Sequence, residues 1–193
     1  MNNSLLPRTI LSICDYSGSW SAPYLEAGYD IIQWDEQLGS GDVRLAEFPG
    51  HVHGILAAPP CRVFCRPGAR LWKKWGDSEL LSGLSVVDAC LRLVSVCQPT
   101  WWALENPPGR LHKYLGPPAL SFHPWHYGDP WTKHTYLWGK FTSPKQNQVE
   151  PENYPEHLPP GRRDRTSRVS SSWRNQRAET PAGFAQAFFK ANQ

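Results

Sequence analysis

Residues 9–35, TILSICDYSGSWSAPYLEAGYDIIQWD, decide the fold class. Thr9–Cys14 is a short apolar run rich in β-branched residues, the composition of a buried strand. A loop of small residues follows, Asp15-Tyr16-Ser17-Gly18-Ser19-Trp20. Ser21–Ala27 then predicts a short helix, with Pro23 tolerated in its first turn. Asp30–Trp34 predicts a second strand that ends in Asp35. Strand, loop, helix and strand in this order imply a parallel sheet covered by helices.

The pattern continues outward. Val52–Ala58 predicts a third strand, broken by Pro59-Pro60. Residues 80–96 carry Leu81, Leu84, Val87, Leu91 and Val94 at helical spacing and stop before Pro99. Trp101–Leu104 predicts a fourth strand, ending in Glu105-Asn106-Pro107. The expected fold is α/β, a mostly parallel sheet with helices on both faces, whose ligands sit at the carboxyl ends of the strands. From Pro107 to Gly161 the chain is dense in Pro, Gly, His and Trp, with one hairpin expected around His134–Phe141. Thr180–Phe189 predicts a last helix with Thr180 as N-cap, Pro181 at the first helical position and an apolar face of Phe184, Ala187 and Phe188. One domain over 1–193 is expected: a core over 1–110, an irregular Pro- and Trp-rich part over 111–179, and a helix over 180–193.

The 193 residues suffice for one sizeable core, and no apolar run approaches a bilayer-spanning length of about 20 residues, so no membrane association is expected. The opening stretch lacks the basic region and apolar core of a signal peptide and reads as mature protein. Five cysteines at irregular spacings fit a reduced, cytoplasmic protein better than a disulfide framework. Residues 161–177 hold six Arg and one Asp, a charge of +5 against a chain total of +3, which leaves −2 on the rest. Such a segment suits either a phosphate backbone or a solvated loop.

The polar signals cluster just after the predicted strands. The Asp15–Trp20 loop lets backbone N–H groups approach a ligand closely. Asp35 at the end of the second strand suits ribose hydroxyls, or a helix cap, and Asp42 suits an adenine amino group. Together they outline a nucleoside-cofactor pocket. The chemistry is expected at Ala57-Ala58-Pro59-Pro60-Cys61-Arg62-Val63-Phe64-Cys65-Arg66-Pro67-Gly68. Two prolines present Cys61 from a rigid turn, and helix dipoles with Arg62 and Arg66 should favour its thiolate. The alternatives are an inert buried thiol, or a metal pair of Cys61 and Cys65 with His51 or His53. His123-Pro124-Trp125-His126 reads either as a metal site or, preferably, as a structural His pair.

These motifs resemble the DNA cytosine carbon-5 methyltransferases. Pro60-Cys61-Arg62-Val63-Phe64-Cys65-Arg66-Pro67-Gly68 is similar to their Pro-Cys-x-x-Phe-Ser-x-x-Gly, with Cys65 in place of Ser, and Leu104-Glu105-Asn106-Pro107 is similar to their strand ending in Glu-Asn-Val. The likeness covers residues 9–110, and Gly128–Gly139 resembles small stand-alone phage and prophage members. It implies a Rossmann-like methyltransferase fold and the cofactor S-adenosyl-L-methionine. It implies Cys61 as nucleophile towards carbon-6 and Glu105 as the carboxyl at N3 and the amino group. Tyr16, Ser17, Gly18, Trp20, Asp35, Asp42 and Pro59 form the implied cofactor set, with Tyr16 and Gly18 matching the aromatic and first Gly of Phe-x-Gly-x-Gly. Arg62, Asn106, Lys133, His134, Arg162 and Arg163 form the substrate set. The implied partner is DNA, its cytosine flipped out or single-stranded, in a bacterial host's cytoplasm if the chain is phage-encoded.

The chain departs from the family in three places. Trp20 stands at the second Gly of the cofactor loop. Thr132-Lys133-His134-Thr135 replaces an Arg-rich strand, so Lys133 or His134 would supply the cation at the base. Only the irregular residues 140–179 follow where a recognition domain is expected. A catalytically inactive nucleic-acid- or protein-binding chain, and carbon-5 modification of a pyrimidine nucleotide, stay open as alternatives.

Overall fold

A computed structural model describes residues 8–47, 49–151 and 179–193. Thr9–Ile13 (β1), Asp30–Trp34 (β2), Gly54–Ala57 (β3) and Trp101–Asn106 (β4) form where the apolar runs predict strands. They pair in parallel, β2 and β3 on either side of β1 and β4 beyond β3. All four residues of β3 are buried, as a central parallel strand covered on both faces requires.

Successive side chains on a strand point to opposite faces, and the chain fills both. On one face Leu11, Ile13, Ile55, Ala57 and Leu104 pack with Val87, Cys90, Leu93 and Cys97 of the long helix α2, Trp72–Cys97. On the other, Ile10, Leu56 and Ala103 pack with Tyr24 of helix α1, Ala22–Glu26, and with residues of the last helix. The fold is therefore α/β and Rossmann-like, a mostly parallel sheet between two helical layers.

Four sequence expectations change. Helix α2 begins eight residues before the predicted Leu80, and Gly76, with φ of +65°, breaks its first turns. By length and composition a stretch within Gly68–Cys97 passes as a membrane span, against the expectation that none would. Helix α2 nonetheless carries Asp88 and Arg92 and seats its Val87–Cys97 stripe on the sheet, with Arg92 donating to the Ala46 carbonyl at 2.9 Å.

After the short helix α3, His112–Leu115, the part read as irregular supplies two strands, Leu120–Phe122 (β5) and Thr135–Lys140 (β6). No hairpin turns within 134–141: β6 is continuous, and it inserts antiparallel between β4 and β5 to give the order β2-β1-β3-β4-β6-β5. The last helix, α4, is Ala182–Ala191. Pro181, not Thr180, stands at its cap without a side-chain bond, and the Gly183 N–H donates to Asp129 instead, at 2.8 Å.

Candidate active site

Three neighbouring strands end side by side. β1 runs into Asp15, β3 into Pro59-Pro60-Cys61, and β4 into Glu105 and Asn106. Because β6 is antiparallel and pairs Tyr136 with Asn106, the residues just before it project past the same edge. That brings Lys133 Nζ to 3.9 Å from the Glu105 carboxylate. Cys61 is partly exposed as a residue.

The turn carrying Cys61 is held from two sides. Asn106 Nδ2 donates to the Pro59 carbonyl at 2.8 Å, a bond buried between the ends of β3 and β4. One turn further on, Cys65 bridges Gly109, and Arg110 donates from its backbone N–H to Phe64 and from Nε to Val63, both at 2.8 Å. A Cβ on Gly109 would sit 1.9 Å from the Phe64 carbonyl oxygen, so glycine is required for this contact. The guanidinium of Arg110 lies over the Trp72 ring. Thus the segment after β4 clamps the segment after β3, and the thiol and carboxyl stay in register.

The electrostatics differ from expectation at Cys61. The Cys65 thiol accepts its hydrogen bond, burial disfavours the charged form, and Glu105 lies nearby, so the Cys61 thiol is pushed well up. Lys133 works in the opposite direction. Arg62 does not lower it, because its guanidinium pairs with Glu79 and lies over Trp75. In the free protein Cys61 is thereby biased towards the thiol. Burial raises the Glu105 carboxyl above the usual range, Lys133 partly offsets that, and Asp15 adds to it. Glu105 is thereby biased towards the protonated form that donates a hydrogen bond.

The loop after β1 closes on Asp15, an acid that the sequence reading passed over. Its carboxylate is buried and accepts from Ser12 Oγ, Ser17 Oγ and the Gly18 N–H at 3.0–3.2 Å. Burial raises its carboxyl above the usual range. The Gly18 and Ser19 N–H groups are therefore engaged within the loop, against the expectation that they face a ligand. Gln33 braces the same loop from β2 through the Asp15 and Tyr16 carbonyls. Tyr16 is exposed at the surface of the loop.

Trp20 is not a ligand contact. Its ring is fully buried, 5.6 Å from Phe188 and 6.1 Å from Phe184 of α4. Asp35 accepts from the Gln37 N–H at 2.8 Å and caps a single 3₁₀ turn. Asp42 caps the next one and pairs with Arg44, which holds its carboxyl below the usual range. Each has a second role beyond any ligand, and both lie past the end of β2.

One substrate assignment also changes. Asn106 is fully buried and positions the Cys61 turn instead of meeting a substrate. Arg62 pairs with Glu79 at the surface, where its side chain stays largely exposed. Pro59 is buried, and its contribution to the site is the carbonyl that Asn106 holds. Lys133 stands beside Glu105, and burial with the neighbouring Arg66 lowers the pKa of His134, so Lys133 is the cation there. Arg162, Arg163 and the basic segment 161–177 lie outside the described residues. Among the described residues no group of three or more His, Cys, Asp or Glu side chains is arranged to hold a metal ion.

No family model matches the chain, and no curated protein matches it in sequence. Among solved structures it is similar to a protein provisionally assigned as a DNA modification methyltransferase encoded within a prophage of E. coli, at 18% identity and a TM-score of 0.48. That match covers 68% of this chain and 46% of the other, so the chain spans less than half the length of the structure it resembles.

Proposed function

We propose that the chain transfers a methyl group from S-adenosylmethionine to carbon-5 of cytosine in DNA, through a covalent bond between Cys61 and carbon-6. The observation that carries this reading is the clamped pair of Cys61 and Glu105, with Lys133 beside them, at the carboxyl edge of a parallel sheet.

The chain's own residues account for the covalent steps. Cys61 gives its proton to solvent water, and its sulfur pair forms the bond to carbon-6 as the carbon-5–carbon-6 π bond opens. The ring's π electrons shift towards N3, where the Glu105 carboxyl donates a proton and relieves the developing charge. Lys133 stabilises the carboxylate that Glu105 becomes. After carbon-5 is methylated it gives its proton to solvent water, the carbon-5–carbon-6 double bond re-forms as the sulfur leaves with its electron pair, and N3 returns its proton to Glu105.

The residues past β1 and β2 fit the cofactor by their chemistry: an exposed aromatic in Tyr16, a glycine at φ of +66° in Gly18, and the acceptors Asp35 and Asp42 for ribose and adenine donors. When bound, the cofactor supplies an electrophilic methyl on a sulfonium.

The test is trapping with a 5-fluorocytosine oligonucleotide plus S-adenosylmethionine. The fluorine cannot leave as a proton does, so an adduct accumulates, and mass spectrometry should map it to Cys61. Cys61→Ala should form none. Tight oligonucleotide binding without adduct or cofactor binding would favour a non-catalytic binding protein instead.

A further inference from the structure

Next to Lys133 in the chain, His134 belongs to a group of rings that the reaction does not use. The His123 ring stacks on His134, centroids 4.7 Å apart and planes 17° apart, and on Trp125 at 6.3 Å and 22°. Three near-parallel rings thus run from the turn before β6 to the segment after β5. Trp125 belongs to neither of the two apolar clusters that fill the faces of the sheet. Nor do the rings converge on a point as metal ligands would. His134 Nε2 is engaged with Ser121 Oγ at 2.8 Å, and His126 Nδ1 with the His123 backbone N–H.

The location is specific. His134 follows Lys133, whose ammonium lies beside Glu105, and it is the exposed member of the stack. Arg66, from the Cys61 turn, lies close enough to oppose protonation of His134. Burial also keeps His123 below its usual pKa, so the stack presents neutral rings flanked by cations. Flat neutral rings beside fixed positive charge are what an unpaired nucleotide uses, its base stacking and its phosphate meeting the cation. In an unpaired strand the base beside the target has free faces, which such a platform can take up.

We propose that the Trp125–His123–His134 stack is a nucleobase platform that holds the base next to the target cytosine of single-stranded DNA, with Arg66 meeting the phosphate between them. The platform rests on the cytosine reading for the identity of its ligand. It narrows the substrate from DNA in general to an unpaired strand and places the contact one nucleotide from the reacting base.

The experiment is fluorescence anisotropy on the full chain. One labelled single-stranded oligonucleotide carries a single cytosine, and two others carry an abasic site on its 5′ or its 3′ side. His134→Ala should weaken binding of the intact strand about tenfold, the loss of one base–aromatic stack. One of the two abasic strands should weaken wild type by a similar factor, and the variant should lose nothing more on that strand. His134→Phe should restore binding to within about twofold, since it keeps the ring and removes the titratable group. Far-UV circular dichroism checks that the variants fold. Losses that add, unchanged binding in His134→Ala, or a duplex held as tightly as the single strand would each overturn the platform. None of these readouts needs methyl transfer. An intact platform with no 5-fluorocytosine adduct defeats the reaction alone, and an adduct with no platform effect defeats the platform alone.

Discussion

Replacing Trp20 by alanine tests whether this residue belongs to the core or to the cofactor loop. The ring is 0% exposed and lies between Phe184 and Phe188, so its removal leaves a cavity between the first loop and α4. A buried Trp covers about 150–250 Å², worth roughly 4–6 kcal/mol at about 25 cal/mol per Å². That is an upper bound, because the unfolded chain already covers part of the ring. Among the described residues the buried indole Nε1 has no hydrogen-bond partner, and removing it recovers about 1–3 kcal/mol. The expected net loss is about 3 kcal/mol, at the low end of measured Trp truncations. In urea, with a slope of about 1–3 kcal/mol per M, the midpoint should fall by about 1–3 M. Under conditions where the variant is folded, calorimetry should find its affinity for S-adenosylmethionine within about threefold of wild type. A stability loss below about 1 kcal/mol, or a collapse of cofactor affinity without loss of stability, would refute the assignment of Trp20 to the core.

Other changes probe the cleft. Glu105→Gln should lower turnover at least about 100-fold, the scale of a lost acid–base group. Its folded carboxyl pKa is raised, so the stability it contributes is complete at low pH and lost as pH rises through that pKa. The Gln variant should therefore melt above wild type at pH 8, with the gap closing towards pH 4.5; a lower melting point at pH 8 would contradict the burial argument. Cys65→Ala removes the hydrogen bond that most raises the Cys61 thiol, so iodoacetamide should modify Cys61 several-fold faster at pH 8. An unchanged rate, read by peptide mapping, would show that burial alone sets its reactivity. Asn106→Ala leaves the Pro59 carbonyl unpaired in a buried position and should cost about 1–3 kcal/mol in denaturant unfolding. Its turnover should fall further than its substrate affinity, because the Cys61 turn is no longer held, and a purely thermodynamic effect would argue against that role.

Local sequence determined a good deal of this protein. The β-branched runs, the proline pair after β3 and the helical spacing within α2 each act over a few residues, so β1 to β4 and the strand-end positions of Cys61 and Glu105 were legible from the chain. What joins segments distant in sequence was not. The insertion of β6 between β4 and β5 depends on strand pairing across the sheet, and only that pairing brings Lys133 to Glu105. The burial of Trp20 depends on a helix more than 160 residues later in the chain, so in sequence it read as an intruder in a glycine loop. The pKa of Cys61 was misread for the same reason. Neighbouring arginines suggested a thiolate, whereas Arg62 found Glu79 on α2 and the sulfur met Cys65 and a low-dielectric cleft. Periodicity and turn chemistry are local properties of the chain; charge partners and desolvation exist only after it has packed.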